Sequence, residues 1–160
     1  MLRIGYGYDV HPFEKNKKLI IGGIKTNHPN ELGLSGHSDA DVLSHAIIDA
    51  LLGAFGYGSI GEFFPETKEF KNADSIELLR RIIELLNKKE NYKINNIDAT
   101  ILSSSVRISP LKEKIKQKIS KTINLDKRFI NIKGKSGNGL GIAGKDEGIE
   151  VHCALIVDID

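Results

Sequence analysis

The sequence predicts an α/β or α+β sandwich, with a sheet on one side and helices on the other. Three observations carry that expectation. Strand-like and helix-like stretches interleave along the chain, glycine clusters punctuate them, and no linker, repeat or low-complexity tract divides it. Residues 2–10 alternate and read as a first strand. Lys18 to Ile24 reads as a short strand bent at Gly22-Gly23. Ser38 to Gly53 is the clearest helix. Leu43, Ala46, Ile47, Ala50 and Ala54 recur there at helical spacing, and Ser38 or Asp39 is expected to cap its start. A second helix is expected from Asp74 to Lys88, with a capping-box spacing from Asp74 to Glu77 and a stripe of Leu79, Ile82, Ile83 and Leu86. Ile94 to Ser103 reads as a strand. Ser109-Pro110 opens a third helix on Leu111, Ile115 and Ile119, and Phe129 to Gly134 reads as another strand. A glycine-rich loop then leads to a last strand, whose Ile149, Val151, Cys153, Leu155 and Val157 face one way and Glu150 and His152 the other.

Size and composition bound the function. The chain has 160 residues, enough for one domain spanning 1–160, and its 40% hydrophobic residues with only four prolines suit a packed core. Lys and Arg number 23 against 21 Asp and Glu, a net charge of +2, which argues against a dedicated nucleic-acid binder but leaves room for a local phosphate site. The lysines of the second and third helices alternate with glutamates and read as solvated faces. Cys153 is the single cysteine, so neither a disulfide framework nor a cysteine zinc knuckle is expected. The apolar run from Cys153 to Val157 is far below the ~20 residues of a membrane span. No signal-peptide pattern opens the chain, and the expected location is the cytoplasm.

Four segments hold residues suited to chemistry. In a strand, Asp9 and His11 point to the same side and fit two zinc ligands, or a plain surface hydrogen bond. His37, Asp41, His45 and Asp49 follow at intervals of four and would form a polar stripe beside the core face of the first helix. That stripe has no Lys or Arg, and His11, His37 and His45 are three of the five histidines in the chain. Both facts raise metal or phosphate chemistry to equal weight with a solvated face. His45, held in the body of a helix, is the favoured third ligand. The loop Gly134-Lys135-Ser136-Gly137-Asn138-Gly139-Leu140-Gly141-Ile142-Ala143-Gly144-Lys145 reads as a phosphate cradle or a mobile surface loop. It is not a nucleotide-binding P-loop, because Phe129 stands where the first glycine is required. Gly58-Ser59-Ile60-Gly61-Glu62-Phe63-Phe64-Pro65-Glu66-Thr67 suits a substrate wall, or places Phe63 or Phe64 in the core.

These motifs occur in an order that strongly resembles 2-C-methyl-D-erythritol 2,4-cyclodiphosphate synthases. The resemblance rests on Arg3 to His11, Gly36-His37-Ser38-Asp39-Ala40-Asp41-Val42 with His45, and Asp49 to Ala54. Gly61 to Pro65, Ala73-Asp74-Ser75, Asn96 to Thr100 and Glu147-Gly148-Ile149 extend it over essentially the whole chain. It implies a ferredoxin-like subunit in a homotrimer with active sites between subunits. The implied reaction releases CMP from 4-diphosphocytidyl-2-C-methyl-D-erythritol 2-phosphate and forms the cyclic diphosphate, a step in non-mevalonate isoprenoid precursor synthesis.

The resemblance also implies site residues. Zn²⁺ would be held by Asp9, His11 and His45 with one position left for substrate, and Mg²⁺ or Mn²⁺ would sit on the substrate diphosphate. His37 and Ser136 would steady the reacting phosphates. Substrate contacts would come from Asp9, Val10, His11, His37, Ser38 and Asp49. Ser59, Ile60 and Gly61, with Phe64, Pro65, Glu66, Thr67 and Lys68, would face the methylerythritol. Ser103, Ser104, Ser105, Val106, Arg107, Ile108 and Ser109 would enclose the cytosine. Lys135, Ser136, Gly137 and Asn138, with Ile142 and Lys145, would hold the diphosphate.

The chain departs from the family pattern at Ser59 and Glu66, where Asp is usual, at Asn138, where a Glu is expected, and at Ser136, where Thr is commoner. Lys145 and His152 stand where Arg and Glu often pair. Two other readings use the same residues: a zinc phosphohydrolase with water as nucleophile, and a trimeric binding protein with a structural metal. The second lacks an obvious fourth ligand.

Overall fold

The computed structural model describes residues 1–160. In chain order its elements are β1 (Leu2–Lys15), β2 (Leu19–Ile21), β3 (Ile24–Thr26), β4 (Leu32–Leu34), α1 (Val42–Phe55), α2 (Ile60–Phe63), α3 (Ser75–Lys89), β5 (Tyr92–Leu102), α4 (Lys112–Ile123), β6 (Ile130–Lys135), α5 (Gly141–Gly144) and β7 (Gly148–Ile159). Five strands form one mixed sheet in the order β4-β1-β7-β5-β6, and β2 and β3 form a separate hairpin. β7 pairs antiparallel with both β1 and β5, whereas β5 and β6 run parallel and are joined through α4, as a parallel pair requires.

Period-two burial fixes the sheet's faces. Ile149, Val151, Cys153, Leu155 and Val157 of β7 are buried and alternate with more exposed residues, as the sequence pattern predicts. Helix α1 lies on β1 and β7, α4 lies on β6, and α3 packs between α1 and α4. The other face of β1 is bare. Leu2, Ile4 and Tyr6 point there and are 67%, 74% and 59% exposed.

Two expectations about the first helix need correction. Neither Ser38 nor Asp39 caps it: the cap is Asp41, which accepts the Ser44 amide, and the helix begins at Val42. His37 and Asp41 therefore stand outside the helix, and there is no continuous polar stripe. Only Asp49 and Gly53 of α1 escape burial, so the helix is enclosed on nearly every side rather than amphipathic. Asp41 is fully buried and structural. Its carboxylate accepts the Gly22 amide at 2.8 Å, the Gly23 amide at 2.6 Å and the Ser44 hydroxyl at 2.8 Å, tying the β2–β3 hairpin to the helix start. Burial, reinforced by the Asp39 charge, raises its pKa, and these donors oppose the rise. At α3 the expected Asp74 cap is present, accepting from Ile76 and Glu77. The stretch expected as one bent strand at 18–24 is the β2–β3 hairpin, turning at Gly22-Gly23. The first strand runs five residues further than its alternation indicated, to Lys15.

Candidate active site

Gly5, Gly7, Asp9 and His11 share one face of β1, the face toward α1. A Cβ on Gly5 would lie 1.8 Å from the Ala50 carbonyl oxygen, and one on Gly7 would lie 1.9 Å from that of Ala46. Strand and helix backbones therefore touch. Four residues back along a helix cover about 6 Å, and two residues along a strand cover about 6.6 Å, so the two elements stay in step while running in opposite senses. His45 precedes Ala46 by one residue, and its side chain, leaning toward the helix N-terminus as helical side chains do, reaches the next position on this face of the strand, Asp9. Gly36 completes the arrangement, since a Cβ there would lie 2.8 Å from the His11 ring.

The result is a tight triangle. Asp9 Oδ2 lies 2.9 Å from His11 Nε2 and 3.1 Å from His45 Nδ1, and the two ring nitrogens are 3.1 Å apart. Ligands ~2.0–2.1 Å from one tetrahedral ion are roughly 3.3 Å apart, so the donor set and its spacing fit a divalent metal with a position to spare. The outer hydrogen bonds fix both tautomers. His11 Nδ1 must donate to the Ser35 carbonyl, 2.8 Å away, which leaves Nε2 for the ion. The Ser75 hydroxyl donates to Asp39 and accepts from His45 Nε2 at 2.8 Å, leaving His45 Nδ1 free. Burial opposes ionisation of Asp9 and His11. The attraction of the Asp9 carboxylate for the two imidazoles in their protonated form, in which the inner nitrogens donate to it, prevails and holds Asp9 below its ordinary pKa and His11 above its own.

Asp39 and Ser75 were not singled out as functional in the sequence. They act through His45, and removing such a partner commonly costs about 10–100-fold in metal affinity. Ser75→Ala is expected to weaken Zn²⁺ binding by that factor, measured by competition with a chelating dye. Unchanged affinity would leave the Ser75 contact without a role.

The triangle opens on a cavity of about 190 Å³. His37 and Ser38 line it with the three ligands, and Ile60, Gly61, Phe64 and Glu66 form a wall opposite. Phe70 and Leu78 also line it; Leu78 adjoins the α3 core stripe, and nothing in the sequence marks Phe70. His37 Nε2 donates to the Thr67 carbonyl at 2.6 Å, and the Asn72 amide donates to the His37 carbonyl at 2.9 Å. Asp49 accepts the Ile60 amide at 2.7 Å, so its carboxylate holds the Ile60-Gly61 turn against α1. The Ser59 amide donates to Glu62 at the start of α2. A larger cleft of about 630 Å³ lies beyond Ser38 and Asp39, bordered by Lys17, Lys18 and Lys118, and contains none of the three ligands.

The remaining expected site residues lie elsewhere. Ser103 to Ser109 follow β5, Lys135 ends β6 and Ser136 follows it, and Asn138, Ile142 in α5 and Lys145 lie between β6 and β7. With β7 between β1 and β5, the strand carrying Asp9 is about 10 Å from β5 and about 14 Å from β6 at ~4.8 Å per strand. Within one chain, the three ligands and these segments are therefore two or three strand spacings apart. Asn138 has φ 51°, a left-handed conformation that asparagine accepts more readily than glutamate, and its side chain accepts from the Ser136 hydroxyl.

A family model described as YgbB matches residues 2–158. The chain belongs to that family. It is 57% identical over 160 residues to a 2-C-methyl-D-erythritol 2,4-cyclodiphosphate synthase of Petrotoga mobilis, covering 100% of this chain and 99% of the relative. A bifunctional IspDF from Campylobacter jejuni superposes with a TM-score of 0.92 at 36% identity. This chain, wholly covered, spans 43% of that longer protein. A CDP complex of IspF from Plasmodium falciparum superposes with a TM-score of 0.85 at 34% identity, covering 99% of this chain and 97% of that one. The chain is thus an enzyme of the cyclodiphosphate synthase family, with a mixed sheet and packed helices in common with its solved relatives. No helix is long and apolar enough to cross a membrane.

Proposed function

We propose that this YgbB-family enzyme converts 4-diphosphocytidyl-2-C-methyl-D-erythritol 2-phosphate into 2-C-methyl-D-erythritol 2,4-cyclodiphosphate and CMP. The observation that carries the reading furthest is the ligand triangle at the mouth of a cavity with polar and apolar walls. In this reaction an oxygen of the 2-phosphate attacks the β-phosphorus, and the bond from that phosphorus to the bridging oxygen breaks, releasing CMP. The attacking phosphate is already largely ionised at neutral pH, so no general base is needed. The difficulty is bringing anions together. At ~4 Å and an effective dielectric of ~20, each like-charge pair costs on the order of 4 kcal/mol.

Asp9, His11 and His45 would hold Zn²⁺, which when bound would supply positive charge and Lewis acidity toward phosphate oxygens. His37, braced by Thr67 and Asn72, presents its ring to the same cavity. Ile60, Gly61 and Phe64 give the methylerythritol carbons an apolar wall and exclude water from the electrophilic phosphorus. The segment Ser103–Ser109 takes the cytosine, and Lys135 to Asn138 take the diphosphate, with Mg²⁺ or Mn²⁺ as its counter-ion. The CDP bound by the Plasmodium relative shares the cytidine and diphosphate of this substrate.

The resemblance to cyclodiphosphate synthases supports a complete site that joins the metal ligands of one subunit to the nucleotide-binding segments of the next, and the spread of these residues over β1, β5 and β6 is compatible with it. A homotrimer closes that arrangement head-to-tail and covers the exposed Leu2, Ile4 and Tyr6. Incubating the purified protein with the cytidyl substrate, Zn²⁺ and Mg²⁺ tests the reading. Cyclic diphosphate and CMP in equal amounts are expected. Inorganic phosphate as the product would make the enzyme a hydrolase and overturn it.

A further inference from the structure

His28 lies outside the metal cavity, yet its side chain is fully buried. It stands in the loop between β3 and β4 and packs edge-on against Phe13, with ring centroids 4.5 Å apart. Its Nδ1 accepts the Asn30 amide at 3.0 Å, which places the ring proton on Nε2. That nitrogen faces the Ser105 hydroxyl at 3.0 Å and Asp146 Oδ2 at 3.5 Å. Asp146 Oδ1 in turn accepts the hydroxyls of Ser104, at 3.1 Å, and Ser105. Serine, histidine and aspartate are the residue types of a nucleophilic triad, but the arrangement is different. The carboxylate and the hydroxyl share one ring nitrogen, and the other nitrogen is occupied by backbone.

The cluster does something else. It fastens the turn after β5 to two segments distant in sequence, the 27–31 loop and the residue that follows Lys145. The Ser103 hydroxyl accepts the Val106 amide at 3.2 Å, and the Ser103 amide donates to the Lys135 carbonyl at 2.8 Å, so the near end of the turn is held as well. Burial opposes ionisation of Asp146, but the serine hydroxyls and His28 prevail and hold its pKa below the ordinary carboxylate range. It therefore stays an acceptor at neutral pH. Its φ of 60° is left-handed.

We propose that His28 and Asp146 are positioning residues that hold the Ser103–Ser109 turn in the shape that receives a nucleobase. The inference rests on the proposed function, which assigns that turn to the cytosine. Neither residue touches a reacting atom, so loosening the turn should weaken nucleotide binding and spare the chemical step.

Asp146→Gly removes the carboxylate while suiting the left-handed backbone. Titration calorimetry with CMP and, separately, with pyrophosphate, which has no base, supplies the test. The variant is expected to bind CMP about tenfold more weakly, the loss of roughly one charge-assisted hydrogen bond. Pyrophosphate affinity, zinc content and kcat should stay within twofold of wild type, while KM for the cytidyl substrate rises about tenfold. His28→Gln, whose amide nitrogen takes the place of Nε2–H, should keep most of the CMP affinity, whereas His28→Ala should not. Unchanged CMP affinity in Asp146→Gly overturns the positioning role and leaves the proposed function standing. Equal weakening of CMP and pyrophosphate makes the cluster merely structural and also overturns it. If the wild type binds no cytidine nucleotide at all, the proposed function fails and this inference fails with it.

Discussion

His45→Ala is expected to lose the divalent ion and turnover together while remaining folded. His45 Nδ1 is 3.1 Å from both Asp9 Oδ2 and His11 Nε2, so its removal leaves two of three ligands and no enclosing triangle. Loss of a supporting partner alone costs about 10–100-fold in affinity, and loss of a ligand should exceed that. With the ion go several kcal/mol of stabilisation of developing phosphate charge. Turnover should fall by at least about 10³-fold, equivalent to about 4 kcal/mol. The fold should tolerate the change, because Ser75 still donates to Asp39 and keeps a buried partner. A destabilisation of about 1–3 kcal/mol is expected from the lost imidazole hydrogen bond and packing. Metal analysis, a thermal melt and product formation on one preparation check all three points. A variant with full metal content and no turnover would make His45 a substrate contact, and an unfolded variant would make it structural.

Gly7→Ala is expected to damage stability and metal binding at once. The added methyl would sit 1.9 Å from the Ala46 carbonyl oxygen and 2.8 Å from the Ala50 amide nitrogen, both backbone atoms that cannot rotate away. To restore ordinary contact, α1 must lift from β1 or the strand must bend, at a cost of about 3 kcal/mol or more. Because α1 carries His45 and β1 carries Asp9 and His11, the same displacement spreads the ligand triangle. Denaturant unfolding and Zn²⁺ titration should therefore change in parallel. A Gly7→Ala protein with wild-type stability and zinc affinity would contradict the direct strand–helix contact on which the site's geometry is built.

Much of this architecture was legible in the residues, for identifiable reasons. β7 alternates strictly because one face lies on the core, and α3 carries its apolar residues in one stripe because only one side is buried. Asp9 and His11 stood out because a strand places alternate side chains together. His45 was favoured as third ligand from its rigid place in a helix, and the resemblance named the same three residues, although nothing in local spacing connects positions 34 to 36 residues apart. Where local patterns misled, tertiary contacts were responsible. Asp41 looked like one member of a polar stripe, but its partners are Gly22 and Gly23, in a hairpin that periodicity rendered as one bent strand. Short pieces such as β4 and α2 carry too few residues to show a period. The Asp39–Ser75 support of His45 was hidden for a similar reason, because Asp39 suited a helix cap and Ser75 a helix start. The separation of the ligand strand from the segments after β5 and β6 depends on strand order, with β7 inserted between β1 and β5, and no segment of sequence records that order by itself.

The most direct test of the central claim is an anomalous difference map at the zinc edge from crystals of the zinc-loaded protein. One peak per chain is predicted, roughly 2.0–2.2 Å from Asp9 Oδ2, His11 Nε2 and His45 Nδ1, with at least one coordination position not taken by protein. A peak bound by other residues, or none at these three, would contradict it.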